Sequence, residues 1–271
     1  MKTYLCSTCG TQFPPSETPP ARCPICEDER QYLPAGGQRW TTFDEVRRTH
    51  RAAFQRYEPH LLGVGVAPDF AIGQRALLIE RAQGNILWDC VAPLTDATID
   101  VLRALGGLRA IAISHPHYYT TMAEWAHVFD CDVWLHEDDA KWVMRPDARV
   151  RFWSGETRSL GDGVTLVRCG GHFAGGQVLH WADGAAGKGA LLVGDIIQAI
   201  PDRNHVSFMW SYPNLVPLPA SAIDKIEQVL APFAYERLYG AWWTRSTVED
   251  AKDVVARSAK RYREALTRVL G

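Results

Sequence analysis

The chain has 271 residues, of which 46% are hydrophobic and 22% charged, and its formal net charge is −2. That length fills one large core, or one core with a small appendage, and the composition is that of a soluble globular protein, not a disordered or fibrous one. The charge gives no general attraction to nucleic acid or anionic lipid, no apolar run reaches membrane-spanning length, and the first residues lead straight into a cysteine pair with no apolar leader core, so the expected location is the cytoplasm.

Residues 1–35 read as a separate small module. Cys6-x-x-Cys9 and Cys23-x-x-Cys26 are two knuckles whose two-residue gaps let both sulfurs of each pair reach one ion. Four thiolates suit a structural zinc, with iron as the alternative, and so short a segment needs the metal for most of its stability. The missing leader argues against disulfides between the same residues. Pro14-Pro15 and Pro19-Pro20 fall in the loop between the knuckles, and Pro34-Ala35-Gly36-Gly37 marks the junction with a main domain spanning 36–271. Cys90, Cys131 and Cys169 lie in or beside apolar runs and read as buried small side chains, with Cys169 close enough in sequence to His172 to be weighed as its neighbour.

In the main domain a short helix is expected over 42–48, followed by an apolar run at 61–66. Residues 76–80 and 85–90 read as hairpin strands joined by 81–84. The texture then changes. Thr95 or Asp96 caps a helix through Leu105 that ends at Gly106-Gly107, a strand follows to Ile113, Thr120 caps a helix over Met122–Phe129, and 131–135 is the next strand. Strand and helix alternating in this way imply layered α/β packing. Hairpins return between 150 and 195, with strands at 150–153, 164–168 and 177–181 and a turn at Gly161-Asp162-Gly163. The end of the chain is helical. Ser221-x-x-Asp224 reads as a capping box for Ile223, Ile226, Val229 and Leu230, and a second helix lies within 246–270, with Ala251, Val254, Val255, Ala259, Tyr262 and Leu266 as its apolar stripe. Seven basic residues from Arg245 onward outnumber four acids, which reads as a solvated face before it reads as an RNA platform.

Three histidines and one aspartate stand at the ends of apolar strands. His115 and His117 follow the run 110–113, His172 follows Gly170-Gly171 after the strand at 164–167, and Asp195 closes the run 190–193. Imidazoles two apart in a loop just past a strand can turn toward one ion, and folds built on sheets place their sites at such ends. The set reads as a metal site for zinc or iron, in which Asp195 is either the fourth ligand or the group that holds and deprotonates water.

On these residues the segment 36–271 resembles the metallo-β-lactamase superfamily, whose fold is a four-layer αβ/βα sandwich and whose usual role is metal-assisted hydrolysis of esters, thioesters, lactams or phosphodiesters. His115 and His117 match the first two histidines of the H-x-H-x-D-H signature, His172 the histidine of the Gly-His loop, Asp195 the bridging carboxylate, and 85–90 the early strand ending in Asp. The chain departs from that pattern in three places. Tyr119 stands at the Asp position, Thr120 at the last histidine of the signature, and the stretch 238–243, ending in Trp242-Trp243, lacks the final histidine. Those groups mainly serve a second metal in the family, so the resemblance implies a one-metal site. Tyr119 is a poor replacement, because a phenol with a pKa of about 10 must lose its proton before it binds a cation well. The first module is similar to a zinc ribbon and to the rubredoxin-like module of rubrerythrins.

The expectation is an α/β protein of that four-layer type preceded by a zinc-ribbon-like module, acting as a metal-dependent hydrolase on a small-molecule substrate. Asp195 is its catalytic residue; Tyr118, Tyr119, Asn214 and Trp242 are candidate pocket residues. Two other readings stay open: a non-catalytic binding or structural protein on a degenerate fold of this kind, and an iron redox protein in which the thiolate site passes electrons to the main domain. His127, His136 and His180 carry ordinary structural readings, and the aromatic, polar loop 203–214 reads as a pocket wall or an interface. Oligomeric state and substrate identity are not legible.

Overall fold

The computed structural model describes residues 1–244 and 247–268, so Arg245 of the basic stretch and both ends of the helical span expected at 246–270 lie outside the described residues. The chain divides into two compact units, Met1–Trp153 and Ser154–Gly271.

The first unit carries a two-stranded ribbon and a seven-stranded sheet. The ribbon pairs β1 (Tyr4–Cys6) with β2 (Trp40–Thr42). The sheet runs in chain order: β3 (Arg51–Glu58), β4 (Leu61–Ala67), β5 (Ala76–Ile79), β6 (Ile86–Trp88), β7 (Ala110–Ala112), β8 (Asp132–His136) and β9 (Val150–Trp153). β3 to β6 are antiparallel, whereas β6 to β9 are parallel. Parallel neighbours need crossover connections, and the helices Asp96–Ala104 and Met122–Phe129 supply two of them. The apolar runs of β5, β6 and β7 are buried throughout, as strands covered on both faces should be.

Local signals explain the helix ends. Thr42 and Glu45 form a reciprocal capping box on Phe43–Thr49. Thr95 Oγ1 accepts the Thr98 amide at 3.2 Å, and the Gly106 and Gly107 amides close the far end onto the Arg103 and Leu102 carbonyls. Thr120 does not cap the next helix. The N-cap is Thr121, whose hydroxyl is drawn away to donate to the Ala92 carbonyl at 2.9 Å. Residues 150–153 do not open a hairpin either; as β9 they add a parallel edge to the first sheet.

The second unit is built on a six-stranded sheet. It contains β10 (Thr157–Gly161), β11 (Val164–Arg168), β12 (Gln177–Trp181), β13 (Ala190–Gly194), the short pairs β14 (Gln198–Ala199) with β15 (Val206–Ser207) and β16 (Met209–Ser211) with β17 (Val216–Pro217), then β18 (Arg237–Gly240) and β19 (Thr247–Val248). The sheet order is β10-β11-β12-β13-β18-β19, with β13 and β18 parallel across the helix Ala220–Leu230. Ile223, Ile226 and Leu230 of that helix, with Val254, Val255 and Ala259 of Ala251–Thr267, share one core with Val167, Leu191 and Val193. The first helix start differs from expectation, and the second falls inside the expected span. Pro219 is the N-cap of the first, so Ser221 falls inside its opening turn. The second begins after Asp250, because 247–248 are already committed to β19. No helix among the described residues is long and apolar enough to cross a membrane.

Candidate metal centres

The two cysteine knuckles close on backbone turns that leave the sulfurs facing one another. The Gly10 amide donates to the Cys6 carbonyl at 2.8 Å, and the Cys26 amide to the Cys23 carbonyl at 3.0 Å. Sγ of Cys6 lies 3.5 Å from that of Cys26, and Sγ of Cys9 lies 3.7 Å from that of Cys23; all four side chains are buried. Thiolates bound to a tetrahedral zinc stand about 3.8 Å apart, whereas a disulfide needs about 2.05 Å. The spacing is that of an ion site, and none of the seven cysteines is bonded to another. The electrostatics agree. Hydrogen bonds from Cys23, Cys26 and Cys9 drive the Cys6 thiol down, while burial and then Cys23, Cys26 and Cys6 push Cys9 up. A divalent cation among the sulfurs would let them ionise together. Gln38 Nε2 donates to Cys6 Sγ at 3.2 Å and supports the charge.

β7 delivers the first two histidines. The Asp89 amide donates to the Ala112 carbonyl at 2.8 Å, and Asp89 Oδ1 accepts the Ser114 amide at 2.7 Å, which fixes the chain one residue before His115. A 3-10 helix, Pro116–Tyr118, follows at once and sets the rings of His115 and His117 with centroids 5.0 Å apart. Ser114 Oγ stands 2.8 Å from His115 Nδ1, so Nε2 is the nitrogen this ring offers a metal. Burial, and then the charge of Arg30, pushes the His115 pKa down to about 3, which keeps the ring in its neutral, ligating form at physiological pH.

In the second unit, Gly170 and Gly171 take φ values of +70° and +79°, a region that strains any side chain. The Cys169 and Gly170 amides both donate to the Gly176 carbonyl at 2.8 Å, folding the loop back on itself around His172. His172 Nδ1 lies 3.1 Å from the Met209 carbonyl. A carbonyl only accepts, so Nδ1 carries the proton and Nε2 presents the lone pair. Asp195 follows β13, and its carbonyl accepts the Tyr212 hydroxyl at 3.0 Å; the Tyr212 ring lies 5.8 Å from that of His172. The segment Met209 to Tyr212 therefore braces both His172 and Asp195, a role that nothing in its spacing foretold.

Ligand atoms of His115, His117, His172 and Asp195 lie within 4.8 Å of one another, and all four residues are buried. Nitrogen and oxygen donors on one tetrahedral zinc stand about 3.4 Å apart, so small side-chain shifts would let the set share one ion. Three neutral imidazoles and a carboxylate suit zinc or ferrous iron. Among the described residues, no third group of such side chains has this spacing.

The other candidates fall as follows. Tyr118 is buried with its ring 4.4 Å from that of His115. Tyr119 is buried too, and burial, followed by the charge of Asp139, holds its phenol well above the ordinary value, so it stays protonated at neutral pH. Asn214 lies on the exposed turn between β16 and β17, and Trp242 is half-buried beyond β18. Cys169 is part of the apolar core of the second unit. His136 caps a 3-10 helix by accepting the Asp138 amide, His127 pairs with Asp147 at 2.7 Å, and His180 Nε2 donates to the Ala234 carbonyl at 2.8 Å.

No protein-family model matches the chain. Among solved structures, DIM-1 metallo-β-lactamase is similar at a TM-score of 0.57 and 12% identity, over 80% of this chain and 99% of that one. The metallo-β-lactamase from Hirschia baltica is similar at a TM-score of 0.54 and 15% identity, over 77% and 96%. The chain thus has the mixed α/β architecture of the metallo-β-lactamase fold, with a His/Asp metal cluster and a distinct zinc-ribbon-like cysteine module. Its sequence is 49% identical over 268 residues to Bacillus subtilis (strain 168) YmaE, whose description is "uncharacterized protein", covering 98% of this chain and 97% of that protein. The chain belongs to the same family as YmaE.

Proposed function

We propose that the protein is a metal-dependent hydrolase with one catalytic zinc, held by His115, His117 and His172 with Asp195 beside it, and one structural zinc in a cysteine module at 1–35. The observation that carries this reading is the buried convergence of three imidazoles and a carboxylate on a metallo-β-lactamase fold. When bound, such an ion polarises a carbonyl or phosphoryl oxygen and lowers the pKa of water toward about 7. The chain's own residues supply the rest. Neutral His115, His117 and the Nε2 lone pair of His172 would hold the ion, the Met209 carbonyl keeps His172 in one tautomer, and Asp195, left off the ion, would orient the attacking water and take its proton. The un-ionised Tyr119 supports a one-ion site, since it supplies no charge where the family pattern has a carboxylate. The substrate is a small molecule.

Native mass spectrometry of the zinc-loaded chain, alongside an ester, thioester, lactam and phosphodiester panel, tests the proposal. Wild type should hold two ions and hydrolyse one of these classes; His117→Ala should keep the cysteine-bound ion alone and lose the activity. Two ions retained in His117→Ala would remove the site assignment. Two ions in an inert wild type would move the protein to the binding class.

A further inference from the structure

The loop that carries His115 and His117 is held from outside by the cysteine module. Between His117 and the helix Met122–Phe129 the chain passes through Thr120 at φ +36°, a conformation that a β-branched residue keeps only when its surroundings impose it. Those surroundings include residues 10–12. The Gln12 amide donates to the Thr120 carbonyl at 3.1 Å, and Gln12 Nε2 donates to Glu124 Oε1, in the first turn of that helix, at 3.1 Å. Arg145 Nη1 closes the triangle by donating to both Gln12 Oε1 and Glu124 Oε1. Gly10 is packed so closely that a Cβ there would stand 2.9 Å from Ala92 Cβ and 3.5 Å from Thr120 Cγ2. On its other side the same segment belongs to the thiolate site. The Cys6 amide donates to the Thr11 carbonyl at 2.9 Å, Cys9 Sγ and Thr11 Oγ1 are 3.2 Å apart, and Gln12 bridges to Leu5. Three residues lie between the thiolate ligand Cys9 and the clamp at Gln12, counting Gln12 itself, and the same number separates His117 from Thr120.

We propose that Gln12 is a positioning residue for the imidazole site: metal binding by the four cysteines fixes the segment 9–12, and Gln12 passes that order to the loop bearing His115 and His117. Loading the thiolate site then raises the metal affinity of the imidazole site. This rests on the reading that His115 and His117 are ligands. The physical basis is tolerance. Ligands must be held to within about 0.5 Å of their working positions, and a Thr120 released from its left-handed conformation moves the chain three residues from His117.

Cobalt titration of the full chain, with a competing chelator, tests this. Cobalt on thiolates gives strong charge-transfer absorption, and cobalt on nitrogen and oxygen does not, so the two sites are read separately. Gln12→Ala, which keeps the amide bond to Thr120 but deletes the side-chain bonds to Glu124 and Arg145, should leave the thiolate band unchanged and weaken the imidazole site about tenfold, the size of effect usual for groups that orient a metal ligand. The exchanged pair Gln12→Glu with Glu124→Gln keeps the amide-carboxylate bond and the Arg145 contacts, and should recover most of the affinity. Cys23→Ser, if it folds, should weaken the imidazole site further. A Gln12→Ala protein that binds its second cobalt as tightly as wild type overturns this proposal alone. A wild type that takes up only thiolate cobalt removes the functional reading and this proposal together.

Discussion

Replacing Asp89 with alanine is expected to remove about 3 to 5 kcal/mol of unfolding free energy and to release the imidazole-bound ion while sparing the thiolate-bound one. Two contributions make up that figure. The Asp89 carboxylate accepts the Ser114 amide at 2.7 Å in a buried place, and a charge-assisted bond of this kind is worth about 1.5–3 kcal/mol. Asp89 also stands at φ +63°, where an ordinary L side chain costs about 1–2 kcal/mol and Asp or Asn is better tolerated. Beneath both lies a charge effect. Arg75 is fully buried; burial pulls its pKa down, while Tyr57 and then Asp89 hold it up, so removing the carboxylate strands part of that guanidinium's charge. Asp89→Asn separates the contributions. It keeps the left-handed backbone and an acceptor for Ser114, loses only the charge, and should cost about 1–2 kcal/mol. Urea unfolding of the zinc-loaded proteins, with m-values checked for constancy, measures both. If Asp89→Ala unfolds within about 0.5 kcal/mol of wild type, or if the asparagine variant is the weaker of the two, Asp89 does not anchor the His115 loop as argued.

Tyr212→Phe keeps the ring beside His172 and deletes the hydroxyl donated to the Asp195 carbonyl; it should cost about 1 kcal/mol of stability and weaken the imidazole site several-fold in the cobalt assay, with the thiolate band untouched. An unchanged second-site affinity would show that Asp195 is oriented by other groups. His180 gives a pH test in the second unit. Burial lowers its pKa below the ordinary 6.5, so the unfolded chain takes up a proton that the folded one resists. Its contribution is intact above pH 6.5 and is lost as pH falls from 6.5 through the folded value. His180→Gln, which still donates to the Ala234 carbonyl, should flatten the fall in urea midpoint over that window; an identical fall in both proteins would place the acid sensitivity elsewhere.

The parts of the fold that were legible are those specified by neighbours in sequence. The cysteine knuckles, the Thr42–Glu45 capping box, the Gly106-Gly107 stop and the hairpin of β5 and β6 each need only a few adjacent residues, and all are present. The four imidazole-site donors were legible for a related reason: each ends an apolar strand, and strand ends can be read locally even when their partners are distant. What escaped was decided by tertiary partners. β3 is a polar edge strand whose Arg51, Gln55 and Arg56 are exposed, so it has no apolar alternation to announce it. Thr120 and Thr121 stand side by side before the helix, and the Thr121 hydroxyl, committed to the distant Ala92 carbonyl, leaves that helix without a side-chain cap. The Met209 carbonyl and the Tyr212 hydroxyl act on ligands 37 and 17 residues away, distances at which sequence carries no spacing rule.

The departures from the family pattern take on a different meaning once the first unit is considered as a whole. Missing ligands suggest a two-metal site that has decayed and left holes. Instead, Thr120, at the last histidine position of the signature, is a docking point: its carbonyl receives the Gln12 amide, and its methyl faces the place where Gly10 has no side chain. Tyr119, at the Asp position, is buried with its proton retained. A histidine at 120 would have to give up, or share with an ion, the space and backbone geometry that now bind the cysteine module to the helix Met122–Phe129. The positions that the resemblance would assign to a second metal are here occupied by packing and by contacts to the ribbon. If His115, His117 and His172 hold an ion as proposed, the site is a one-ion site, because positions 119 and 120 are already committed to other contacts.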